Sequence, residues 1–127
     1  MSAEPISSRA NARLKYARKL QAKKHRLVAG QFLAEGEDVI EEALAAGILP
    51  LETFVAADRP PSETLVARLT RGGPVHVVAD HLLAEVGSLP HPARVVAIFA
   101  LEALPKRDPA ADLGIYLHRV IDPGNVG

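Results

Sequence analysis

Residues 95–101, Val-Val-Ala-Ile-Phe-Ala-Leu, form an apolar run with no polar alternation. A strand with one face in water alternates apolar and polar side chains, so this run predicts a strand covered on both faces. The segments upstream repeat the theme. Gln31–Ala34, Thr53–Ala57 and Val75–Ala79 are further strand candidates, and helical patterns separate them. Asp38–Ala46 places Val39, Ile40, Ala43 and Leu44 at helical spacing and stops at Gly47. Pro60 and Pro61 open a second helix carrying Leu65, Val66 and Leu69, which Gly72 and Gly73 close. Asp80 is placed to cap a short third helix running through Val86. This alternation of strands and helices predicts an α/β fold, a three-layer α/β/α sandwich with helices on both faces of one sheet.

Upstream of the first strand, Ser7 and Ser8 are N-cap candidates for one long helix over 9–27. At 100° per residue Ala10, Leu14, Ala17, Leu20 and Leu27 share one face, and Asn11, Lys15, Arg18, Lys19 and Arg26 share the other. The charges of the 127 residues are segregated accordingly. Residues 1–30 hold eight basic side chains against Glu4 alone, a net +7, and the remaining 97 residues carry the balancing −7. A basic N-terminal element on an acidic body is the electrostatic footprint of a polyanion binder. Lys and Arg on a solvent face can neutralise phosphates, and Asn11 could add a directional hydrogen bond to a base or sugar. The plainer reading is a solvated helix face.

Other classes are bounded by what the chain lacks. With no cysteine there is neither a disulfide framework nor a thiolate metal site. No window approaches ~18 uninterrupted apolar residues, and the N-terminus has no apolar segment of signal-peptide type. The expectation is a soluble cytoplasmic protein without membrane association. His76 and His81 lack metal-ligand spacing, so no metal site is expected, and His118 and Arg119 in the last apolar segment are weak candidates for a ligand. The carboxylates at Glu35, Glu37, Asp38, Glu41 and Glu42 could hold a divalent cation or serve as a general acid and base. Acidic residues at a helix N-terminus are also what the macrodipole favours, and Glu35, at a strand end, could pair with an N-terminal Arg or Lys.

Residues 102–113 contain two prolines and mixed charge and read as a linker between a first domain, 1–101, and a second beginning at 114. The apolar run 115–121 then reads as a strand, followed by Asp122-Pro123-Gly124-Asn125-Val126-Gly127. A loop at a strand's carboxyl end is where α/β proteins bind ligands. Pro123 fixes the backbone, Gly124 and Gly127 permit close approach, and Asn125 offers both donor and acceptor. The helix that such a loop should introduce is not in the sequence, so the chain reads as the N-terminal piece of a larger protein.

Ile6-Ser7-Ser8 with Asn11 and Lys15, then Lys23-Lys24-His25-Arg26, then Phe32-Leu33-Ala34-Glu35-Gly36, resembles the N-terminal substrate-binding domain of SpoU-family (TrmH-like) RNA ribose 2′-O-methyltransferases. The hexapeptide at 122–127 resembles the start of that family's first catalytic motif. Two signatures in the expected order cover both ends of the chain. Departures are Ala12, where many members have proline, and Pro92-Ala93-Arg94, where members often have Pro-Gln-Gly.

The resemblance implies a first domain similar to the large-subunit ribosomal proteins that bind kinked RNA, and after it the first strand of a truncated, knotted SPOUT methyltransferase domain. It implies S-adenosylmethionine as cofactor of the parent enzyme, with no cofactor for this piece, and a parent that dimerises through the knot while this piece is monomeric. The partner is structured RNA, ribosomal or transfer. The RNA-binding candidates are Asn11, Lys15, Arg18, Lys19, Lys23, Lys24, Arg26 and Glu35, and the only catalytic candidate is Asn125, in a partial motif. The expectation is a chain that binds RNA and does not methylate it. The alternative is a stand-alone RNA-binding module of the ribosomal-protein kind, without enzymatic activity.

Overall fold

The computed structural model describes residues 5–87 and 91–103. The segment 114–121, the loop with Asn125, His118, Arg119 and most of the 102–113 linker lie outside the described residues. The elements run α1 (Ala12–Lys19), α2 (Lys23–Ala29), β1 (Gln31–Glu35), α3 (Glu37–Ala45), β2 (Glu52–Ala56), α4 (Glu63–Leu69), β3 (Val75–Val78), α5 (Asp80–Val86) and β4 (Val95–Ala100), followed by a 3-10 turn over Leu101–Ala103.

The four strands form one sheet in the order β1-β4-β2-β3. The apolar run at 95–100 is an interior strand, antiparallel to both neighbours, with Phe32 opposite Phe99 and Phe54 opposite Val96. β2 and β3 are parallel, joined by the crossover through α4. Because consecutive strand residues point to opposite faces, each strand feeds two cores. On one face Phe32, Ala34, Val55, Val95, Ala97 and Phe99 pack with Val39, Ile40 and Ala43 of α3 and Leu65 and Leu69 of α4. On the other, Leu33, Phe54, Ala56, Val78, Val96 and Ile98 pack with Leu14 and Ala17 of α1 and Leu82, Leu83 and Val86 of α5. Phe32 and Phe99 stack at 5.8 Å between centroids. Helices therefore cover both faces, as the unalternating strands require.

The outer edge of β3 is partly closed by the N-terminal segment. Ile6 N–H donates to Val77 O at 2.7 Å, and Ala79 N–H donates to Ile6 O at 2.9 Å. The Gly72-Gly73 pair does more than end α4. A Cβ at Gly73 would lie 2.0 Å from Leu51 O, and one at Gly72 would lie 2.2 Å from Pro50 O. The turn into β3 thus passes against the backbone leading into β2.

Two expectations about helix ends are corrected. Asp80 opens α5 but is no N-cap: Ala79 takes that position. The Asp80 carboxylate instead accepts from Asp58 N–H at 2.8 Å and from Arg59 Nε at 3.0 Å, tying the loop after β2 to α5. Nor do Pro60 and Pro61 open α4, which starts two residues later with Ser62 Oγ accepting from Leu65 N–H.

Candidate nucleic-acid interface

The expected single helix over 9–27 is two helices, and the break re-sorts the basic residues. α1 is capped by Asn11, not by a serine: the Asn11 side-chain oxygen accepts from Arg13 N–H at 2.8 Å and Leu14 N–H at 3.2 Å. Ser8 Oγ accepts from Ala10 N–H one turn earlier. A cap oxygen satisfying two otherwise orphan donors is committed to the helix, so Asn11 is placed as a structural residue by its oxygen.

α1 ends at Lys19, its last carbonyls accept from Leu20, Gln21 and Ala22 N–H, and the next two carbonyls, of Leu20 and Gln21, need donors. Arg26 supplies them. Its Nη1 donates to Leu20 O at 2.9 Å and to Gln21 O at 2.7 Å, and the residue is only 4% exposed. Its expected place on the solvent face is therefore corrected: a continuous helix would turn Arg26 outward, and the break turns it inward. The same break corrects Leu27. Expected beside Leu14 and Leu20, it is 62% exposed, and Val28 next to it is 82% exposed. Gly30 ends α2 in the left-handed region at φ 68°, where a side chain is strained.

Lys15, Lys19, Lys23 and Lys24 are exposed on α1 and α2. Arg18 is half-buried; its Nη2 donates to Arg9 O at 2.8 Å, and its Nη1 is buried without a hydrogen-bond partner among the described residues. Arg9 pairs with Glu85 at 2.6 Å. From residue 5 through residue 34 there is no carboxylate at all. The structure thus leaves four lysines exposed on α1 and α2, withdraws Arg26, and engages Arg9 and Arg13 with the carboxylates of Glu85 and Glu52.

Arg13 belongs to a cluster the sequence reading did not find. Its Nε donates to Glu52 Oε2 at 2.9 Å and its Nη2 to Glu52 Oε1. His76 Nε2 lies 2.6 Å from the same Oε2 and, against a carboxylate, is the donor. Glu52 is buried in β2. Burial there resists ionisation, but the hydrogen bonds from Arg13 and His76 outweigh it and hold the carboxyl below its ordinary value. Arg13 also lies over the Tyr16 ring, 4.9 Å from the centroid, and the Tyr16 hydroxyl donates to Gln31 Oε1. Tyr16 is thereby half-buried and fixed. The signal that could have found this cluster is Glu52 itself, a charge inside the strand Glu-Thr-Phe-Val-Ala.

Glu35 ends β1 at the opposite end of the sheet. It lines a shallow cleft with Leu83, Gly87, His91, Pro92 and Val96. Gln21 Nε2 donates to the carbonyls of Glu85, at 3.0 Å, and Val86, so the α1–α2 junction also caps α5 beside that cleft. The acidic residues Asp38, Glu41 and Glu42 form an open surface on α3, on the far side of the sheet from α1. Among the described residues no three His, Asp or Glu side chains are grouped so as to hold a metal ion, and no helix is long and apolar enough to cross a membrane.

Residues 11–97 match the MRM3-like substrate binding domain. Over 126 residues the chain is 35% identical to an uncharacterized tRNA/rRNA methyltransferase of Synechocystis, covering 96% of this chain and 46% of that protein. Among solved structures it is similar to an RNA 2′-O ribose methyltransferase, at 26% identity and a TM-score of 0.64, over 85% of this chain and 40% of the other. It is also similar to the SpoU methyltransferase AviRb of Streptomyces viridochromogenes in complex with AdoMet, at 27% identity and a TM-score of 0.61, over 78% and 37%. The chain spans about half the length of the curated relative it matches. By the extent of the domain match, this chain belongs to the MRM3-like substrate-binding domain family, the domain it shares in fold with SpoU-type RNA methyltransferases.

Proposed function

We propose that the chain is the RNA-recognition part of a cytoplasmic, S-adenosylmethionine-dependent RNA ribose 2′-O-methyltransferase acting on ribosomal or transfer RNA. The observation that carries this reading is the exposure of Lys15, Lys19, Lys23 and Lys24 on α1 and α2, in a stretch of chain, residues 5–34, without Asp or Glu, on a domain of the substrate-binding type. Point charges on flexible stems suit phosphates, whose positions vary from one RNA to the next. The likeness to proteins that bind kinked RNA belongs to the same reading, since RNA is recognised largely by shape. So does a dimeric parent.

AdoMet supplies the methyl group in such a reaction. Neither cleft fits it: the one beside Glu35 does not admit even a water-sized sphere, where ligand pockets hold ~300 Å³ or more, and the acidic surface of α3 is open. Methyl transfer is accordingly assigned outside the described residues, and their task is to hold RNA in register for a reaction whose rate depends on positioning the ribose hydroxyl.

The test is a titration of the chain against ribosomal RNA fragments and transfer RNA at several salt concentrations. Affinity should fall steeply with salt, and Lys15→Ala, Lys19→Ala and Lys24→Ala together should flatten the slope by roughly 0.7–0.9 per lost phosphate contact. Salt-insensitive binding, or an unchanged slope in the triple variant, would sink the proposal.

A further inference from the structure

α2 is built inside out. A surface helix ordinarily turns its apolar side chains inward and its charges to water. Here the one buried residue is Arg26, engaged with the carbonyls at the end of α1, and the two large apolar side chains face solvent. Leu27 at 62% and Val28 at 82% are the two most exposed large hydrophobics among the described residues. A single exposed leucine means little. An adjacent pair on a helix whose polarity is reversed is a surface that water does not favour.

The surroundings say what would cover it. Helical spacing puts Lys24 one turn from both Leu27 and Val28, and Lys23 one turn from Leu27. Lys19 ends the preceding helix, and no carboxylate occurs from residue 5 through residue 34. Exposed lysines beside an apolar pair are complementary to a polyanion. The ligand that combines an apolar face with flanking negative charge is a nucleotide out of its stack. Proteins use apolar side chains against unstacked bases, and RNA recognition favours bulges and loops for that reason.

We infer that the outward face of α2, Leu27 and Val28 between Lys19 and Lys24, packs against an unpaired nucleobase while the lysines hold its neighbouring phosphates. This rests on the RNA reading above and adds which feature of the RNA is sought. Arg26 holds α2 at the angle that presents this face, and Gly30 ends it before β1.

The experiment compares two RNA duplexes of equal length, one fully paired and one with a single bulged nucleotide, by fluorescence anisotropy with the whole chain. The chain should prefer the bulged duplex by about tenfold, the worth of burying one such side chain in part. Leu27→Ser with Val28→Ser should abolish that preference, leaving the affinity for the paired duplex, the salt slope and the thermal midpoint unchanged. Equal affinity of the unaltered chain for both duplexes, or a double variant that retains the preference, overturns the inference. So does a double variant whose main effect is on self-association in sedimentation, which would mean that protein covers the face. In each case a steep salt dependence leaves the RNA reading standing. Absence of salt-dependent binding to either duplex defeats both.

Discussion

A carboxylate inside a sheet is costly unless donors surround it, and Glu52 has two. Arg13 reaches it from α1 and His76 from β3, so one side chain ties a helix to two strands. The carboxyl is held below its ordinary value, so the sign of the pH dependence follows. The stabilisation is fully present above the unfolded value of about 4.3 and is lost as pH falls through the lower folded value. At pH 7 Glu52→Gln should be less stable than the parent by about 1–2 kcal/mol, with Arg13 half in water moderating the cost. Between pH 5 and pH 3 urea unfolding should show the two converging. Parallel loss of stability would mean that Glu52 carries no such linkage. At this scale the sequence displayed the charges but not their pairing, because Arg13 and Glu52 are 39 positions apart. Nothing local distinguishes Arg13, which leaves the basic face for a buried partner, from Lys15, which stays in solvent.

The junction between α1 and α2 shows what happens when local pattern and tertiary contact compete. Every residue from Arg9 to Leu27 is compatible with helix, and the periodicity reads as one unbroken element. The chain nevertheless breaks after Lys19, where Gln21 turns aside to the carbonyls ending α5 and Arg26 folds back on Leu20 and Gln21. Strand positions, by contrast, were legible to within a residue at each end. Val95–Ala100 lies inside the apolar run that predicted it, since an all-apolar stretch has no other way to be covered. The junction can be tested directly. Arg26→Ala leaves two carbonyls without their donor and should cost about 2 kcal/mol, read as an earlier urea midpoint. Arg26→Lys should recover part of that, because an ammonium can reach a carbonyl but lacks the planar fork. If Arg26→Ala unfolds with an unchanged midpoint, the break is fixed by something other than this side chain.

Across the whole molecule the sandwich converts a charge segregation in sequence into one in space. The lysines of α1 and the acidic surface of α3 belong to helices on different sides of the sheet. A polyanion would meet attraction on one side and repulsion on the other, which restricts how it approaches. Reversing the sign of that far face, with Glu41→Lys and Glu42→Lys, should raise nonspecific RNA affinity by roughly threefold or more at low salt and erode discrimination among RNAs. Unaltered binding in gel shifts at low salt would show that the acidic face has no part in orientation.

The amino-acid sequence by itself determined the strands, the two-faced sandwich and the basic N-terminal stretch, because burial on both faces and net charge are written in local composition. Only the tertiary structure decided which basic residues of that stretch remain exposed, placed Asn11 in a cap and Arg26 in the interior, assembled Arg13, Glu52 and His76, and turned Leu27 and Val28 outward. Those outcomes depend on which distant carbonyls and carboxylates come within hydrogen-bond reach, and only the folded chain brings them there.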